Sequence, residues 1–199
     1  MVTRRRFLQA GGLALAGLSA PGPVRGSLGA VLGLEGGGGP FRGSGRVEIR
    51  MKSDALGSKV WFDPIGVWIE PGSTVRWVVQ ESVHSTTAYH PANAGHSLRI
   101  PEKAEPWDSG ILTKPGQTFD VTLTVPGVYD YFCLPHEAGG MVGRIVVGEP
   151  GEGPGTRPFD WFVVGPESGD WRPVPEAARK AFPSVERIVR EKIVRIVSA

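Results

Sequence analysis

The chain is poor in the residues that several kinds of chemistry need. It holds one cysteine, four histidines and three methionines in 199 residues. One cysteine cannot close an intramolecular disulfide, so Cys133 is free for other uses. No Ser-His-Asp ordering, phosphate-binding glycine loop or paired carboxylates stand out. Long apolar runs are also missing: the stretch from Ala10 to Ala20 falls short of the roughly 20 residues that span a bilayer, and it is interrupted by glycines. Charge of one sign is lacking too. The formal net charge is +2, and removing the first twenty residues with Arg4, Arg5 and Arg6 makes it −1. Neither nucleic acid nor a strongly acidic partner is implied.

What the chain does have is glycine and proline, 29 and 18 of them, with a 40% hydrophobic content that suffices for a packed core. That balance favours turns and linkers over long helices. Residues 1–20 have a cationic start at Thr3-Arg4-Arg5-Arg6-Phe7, a short apolar stretch and small residues at the end, the layout of an export signal. They resemble a twin-arginine signal, the address of proteins exported already folded, and imply a periplasmic, extracellular or cell-envelope location. Residues 21–45, with Pro21-Gly22-Pro23 and Gly36-Gly37-Gly38-Gly39-Pro40, read as a flexible tether.

From Arg46 the pattern changes to strands. Val47-Glu48-Ile49-Arg50-Met51 alternates apolar and polar; Val60-Trp61-Phe62, Val67-Trp68-Ile69 and Thr74-Val75-Arg76-Trp77-Val78-Val79 follow between turn signals. Thr118 to Val125 alternates again, Pro126-Gly127 turns, and the segments from Val128 to Phe132 and Met141 to Val147 complete the set. About seven short strands with no helical period between them predict an all-β sandwich over 46–148.

At its centre lies Tyr131-Phe132-Cys133-Leu134-Pro135-His136-Glu137-Ala138-Gly139-Gly140-Met141. Pro135 and the two glycines forbid a regular helix, so a thiolate, an imidazole and a thioether share one tight turn. Soft sulfur with imidazole selects copper over hard cations, and two histidines, one cysteine and a distant methionine form the blue-copper pattern. The turn offers three of these, Cys133, His136 and Met141. His84, at the end of a strand-like run, is the leading fourth candidate for the metal. His90 and His96 compete from the turn-rich segment between Tyr89 and Pro101, which reads as too irregular to hold a ligand rigidly.

The spacing Cys133-x2-His136-x4-Met141, preceded by Gly127-Val128-Tyr129-Asp130-Tyr131-Phe132, resembles the copper loop of the plastocyanin, pseudoazurin and halocyanin branch of the cupredoxins, over about half the chain. The resemblance implies a cupredoxin-like Greek-key β-sandwich. It also implies one type 1 copper ion held by His84, Cys133, His136 and Met141, a non-enzymatic role in shuttling single electrons between transient redox partners, and an apolar transfer face around the His136 ring. Two departures stand out. Ser85 occupies a position where plastocyanin-like proteins often have asparagine, and the loop from Thr86 to Trp107 is long for a minimal sandwich. With four histidines in total, only His90 and His96 remain once His84 and His136 are used, too few for a separate catalytic copper. The rival reading is a copper carrier or buffer of the cell envelope.

Residues 149–199 read as a linker and a helical tail. Val185, Ile188, Val189, Ile193, Ile196 and Val197 fall on one face of a single helix started by Pro183-Ser184, with Arg187, Arg190, Lys192 and Arg195 opposite. The stripe is expected to pack on the sandwich; the alternative uses are weak membrane-surface binding or self-association.

Overall fold

The computed structural model describes residues 45–160 and 171–196. The expected export signal, all of the expected tether but its last residue, residues 161–170 of the expected linker and tail, and Val197 lie outside the described residues. The rest forms two packed sheets with two short helices, an all-β sandwich of the expected class.

The first sheet has the order β2-β1-β4-β6, with β1 at Arg46–Ser53, β2 at Val60–Asp63, β4 at Ser73–Val79 and β6 at Thr118–Leu123. β1 runs antiparallel to β2 but parallel to β4, with Val47 opposite Val75 and Ile49 opposite Trp77. The second sheet has the order β5-β7-β8-β3-β9, built from β3 at Gly66–Ile69, β5 at Thr87–Ala88, β7 at Gly127–Phe132, β8 at Val142–Val147 and β9 at Ile193–Val194. The apolar alternation explains the layering. Val47, Ile49 and Met51 of β1 and Val75, Trp77 and Val79 of β4 turn inward, to meet Val67, Ile69, Tyr129, Tyr131, Ile145 and Val147 from the other sheet.

The tail packs on the sandwich, as expected, but not as one helix. α1 spans Glu176–Ala181 and α2 spans Val185–Glu191. Ser184 caps α2 by accepting from the Arg187 amide at 3.2 Å. The helix then stops at Lys192, whose φ is 64°, and the chain turns into β9, antiparallel to β3 with Gly66 opposite Val194. Just beyond Glu191 the chain therefore forms a strand at Ile193–Val194 rather than a further helical turn. Two contacts favour that ending: the Lys192 carbonyl accepts from the Trp68 amide at 2.8 Å, and its ammonium sits 3.9 Å from the centre of the Trp68 ring. Ile188 and Val194 are buried against Ile65, Val128 and Val146, so this part of the aliphatic face is covered by the protein itself, while Ile196 stays exposed.

A buried ion cluster joins these layers. Asp130 of β7 is fully buried and accepts from Arg99 Nε at 2.9 Å and Arg144 Nε at 2.6 Å. Arg99 also donates to the carbonyls of Gly155 and Arg157, and Arg144 to that of Pro183. One carboxylate thus ties the long loop, β8 and two points of the tail together.

Candidate metal centre

β7 delivers Cys133 immediately after its last residue, and β8 starts one residue after Met141. The turn between them closes on itself. The Cys133 amide donates to the Met141 carbonyl at 3.0 Å, the His136 amide to Cys133 at 2.9 Å, and the Met141 amide to His136 at 3.2 Å. Glu137–Gly139 form a single 3-10 turn, and Gly140 follows at a φ of 88°, a left-handed conformation that glycine adopts freely. His84 reaches the same place by another route. β4 ends at Val79, earlier than the sequence suggests, and His84 is fixed instead by a pair of backbone hydrogen bonds with Leu112, at 3.0 and 2.8 Å.

Three side chains converge. Cys133 Sγ lies 3.7 Å from His84 Nδ1 and 3.3 Å from His136 Nδ1. The donor atoms of the three all fall within 4.8 Å of one another. Among the described residues this is the cluster of histidine, cysteine and carboxylate groups with metal-holding spacing. Cys133 and His84 are fully buried and His136 is half-buried. Met141 is fully buried and packs in the same core cluster as Cys133. His90 stands apart, with Nδ1 accepting from the Ala92 amide at 3.1 Å.

The surroundings fit a soft metal. Burial, then the nearby His136, pushes the His84 pKa down to about 4, against a smaller opposing effect of the Glu81 backbone. His84 Nε2 is buried without a hydrogen bond of ordinary geometry. Burial also lowers His136, so both rings are neutral near pH 7 and have lone pairs to offer. Burial pushes the Cys133 thiol up to about 11, although the Ser85 and His136 amides and the Ser85 side chain work against that. A metal cation must therefore displace the thiol proton, and the Ser85 amide stands ready to stabilise the resulting thiolate, 3.3 Å from Sγ. The serine that departs from the family pattern keeps this contact, and its hydroxyl accepts from the Leu134 amide at 2.7 Å.

The segment from Tyr89 to Pro101 is less irregular than its sequence suggests. Asn93 donates to the carbonyls of Ala88 and Trp107 at 2.8 and 3.0 Å, and His96 and Arg99 are buried. His96 faces a carboxylate instead of the metal ligands: Nε2 is 3.1 Å from Glu137 Oε2. Burial alone lowers the His96 pKa, but the hydrogen bonds to Glu137 and Asn93 and the Glu137 charge outweigh it, so the net direction is up. Tyr89 donates to the other Glu137 oxygen at 2.7 Å. Sequence reasoning singled out neither Tyr89 nor Glu137; the only signal was the place of Glu137, directly after a ligand candidate.

Two layers of β-strands around a buried cysteine flanked by two imidazoles define a cupredoxin. Residues 49–148 match the family model of copper binding proteins, plastocyanin/azurin family, and the chain belongs to that family. Its cofactor is accordingly copper, for which His84, Cys133 and His136 can form a type 1 site. The chloroplastic plastocyanin of Hordeum vulgare is 35% identical over 103 residues, which cover 47% of this chain and 58% of the relative. The plastocyanin of Prochlorothrix hollandica is 30% identical over 101 residues, covering 51% and 72%. This chain therefore spans little more than half of the barley relative. Among solved structures, a pseudoazurin from Sinorhizobium meliloti matches 74% of this chain and 95% of its own, with 29% identity and a TM-score of 0.50.

Proposed function

We propose that this chain is an exported electron carrier that holds one copper ion through His84, Cys133, His136 and Met141 and passes single electrons between transient protein partners. The observation that carries this reading is the convergence of three donor atoms within 4.8 Å. Copper bound to such a set supplies a couple that takes up and gives back one electron. The chain's own task is to keep the donors still between the two states. The Cys133–Met141 backbone pairing, the His84–Leu112 pairing and the Ser85 amide on Sγ all serve that end.

His136 is the ligand candidate nearest solvent, and its surroundings favour an apolar contact face. Leu134, beside Cys133, is 45% exposed; Val83 and Ile111, which flank the His84–Leu112 pair, are 41% and 48% exposed. A small face of this kind suits a brief encounter, for which interfaces below about 1,200 Å² are usual. The helical tail is a poorer docking element, because the Ile188 side of α2 is buried.

Export is proposed from residues 1–20 and a tethering role from 21–45, both on sequence grounds. Among the described residues no helix is long and apolar enough to cross a membrane. A copper carrier or buffer remains the rival, and the full burial of His84, Cys133 and Met141 weighs against rapid metal exchange.

The test is a visible spectrum of the copper-loaded protein beside Cys133→Ser. An intense thiolate-to-copper charge-transfer band, lost in the variant and bleached by a mild reductant, is the expected result. Uptake of copper without colour would replace electron transfer with the carrier reading.

A further inference from the structure

The segment after β5 brings no metal donor, yet it grips the turn that brings three. Glu137 follows His136 and opens the 3-10 turn. A single turn of this kind has little stability of its own, since it fixes several dihedrals for few hydrogen bonds. Here its Glu137 carboxylate is held on both oxygens, by the buried Tyr89 hydroxyl at 2.7 Å and by buried His96 at 3.1 Å. His96 is itself braced on the other edge, with Nδ1 2.6 Å from the Asn93 carbonyl. Both of its ring nitrogens therefore face acceptors, an arrangement a cationic ring satisfies and one that gives charge-assisted hydrogen bonds.

The grip is anchored to the strand that carries Cys133. The Tyr89 ring lies 4.6 Å and the His96 ring 4.3 Å from that of Phe132, centre to centre. On the far side of the turn, a side chain at Gly140 would stand 3.2 Å from the Ala177 carbonyl of α1. The turn is thus held between the carboxylate clamp and the tail.

We propose that Tyr89 and His96 are positioning residues: through the two oxygens of Glu137 they fix the turn that presents His136 to the metal. This rests on the copper reading above. Neither residue touches the donors; their effect passes through the turn, whose Gly139 and Met141 amides both donate to the His136 carbonyl.

The experiment uses the full chain with Tyr89→Phe, Glu137→Ala and, as a control, Tyr129→Phe. The control removes a tyrosine hydroxyl of the inter-sheet core, bonded to the Val125 carbonyl at 2.6 Å and outside the clamp. Amide hydrogen exchange at Gly139, Gly140 and Met141 is followed in the metal-free protein, and the visible spectrum and reduction potential in the copper-loaded one. Loss of the Tyr89 hydroxyl is expected to speed exchange at the three turn amides about tenfold, the scale of one lost hydrogen bond, and to shift the spectrum and the potential. Tyr129→Phe should leave all three readouts alone. Glu137→Ala, at a partly exposed site, removes both oxygens at once and should reproduce the effect. Unchanged turn amides in both clamp variants would overturn the proposal. So would equal shifts in the Tyr129 control, or faster exchange with an unmoved spectrum and potential. If the unsubstituted protein shows no charge-transfer band, the copper reading fails by itself, while the exchange data still decide whether the clamp holds the turn.

Discussion

The two sheets of this sandwich are solvated differently, and the difference explains where the metal turn can sit. In the β2-β1-β4-β6 sheet, buried and exposed residues alternate, and Glu48, Arg50, Arg76 and Asp120 line the outer face. In the second sheet every residue of β7 and β8 is buried. The outward positions of β7 are Val128, Asp130 and Phe132, and each meets a cover: α2 and β9 over Val128, two arginines on Asp130, and Tyr89, Val174 and Ala178 around Phe132. A strand that is apolar on both sides needs a layer on both sides. The tail and the long loop supply it, and the same layer braces the turn between β7 and β8.

The comparison can be broken most severely at Asp130. Asp130→Ala leaves Arg99 and Arg144 buried without their carboxylate, and a loss of about 3–5 kcal/mol is expected in denaturant unfolding, the scale for removing one partner of a buried pair. A loss below about 1 kcal/mol would mean that water or the surrounding carbonyls already satisfy both guanidiniums. Ile188→Ala tests the cover itself. It empties the contact of α2 with Gly66, where a side chain would stand only 2.8 Å from Ile188, and should cost about 2–5 kcal/mol. Loosened protection of the β3 amides should accompany it, and retention of that protection would show β9 to be held independently of α2. The smallest effect belongs to the open sheet. Asp120 pairs with Arg76 at 2.7 Å across β4 and β6, but both are about a third exposed, so Asp120→Ala should cost no more than about 1 kcal/mol. A cost matching that of Asp130 would erase the distinction between the sheets.

Much of this is legible in the chain. Alternation in β1, β4 and β6 gives the open sheet, and the Cys133-x2-His136-x4-Met141 spacing marks the metal turn. Those signals are local. What stays hidden depends on distant partners. Asp130 occupies an outward position in β7 and looks solvated until Arg99 and Arg144 are seen to enclose it. The aliphatic period through Ile188, Val189 and Ile193 suits a helix, and only Lys192, at positive φ and seated over Trp68, converts its end to a strand. His96 reads as an idle histidine in a loop because its partner, Glu137, is 41 residues away.

The pairing of β9 with β3 also has a consequence for how the molecule is made. Gly66 pairs with Arg144 of β8 on one side and finds its partner on the other only in Val194, so β3 leaves the ribosome long before the strand that shields its open side. Until then its unpaired amides and carbonyls are a template for any other extended chain. Contacts between residues so far apart form late and slowly. Ile193 and Val194 are therefore the residues that seal this side of the sheet against aggregation, and a nascent chain halted before Ile193 carries a complete metal turn on a body that is still adhesive.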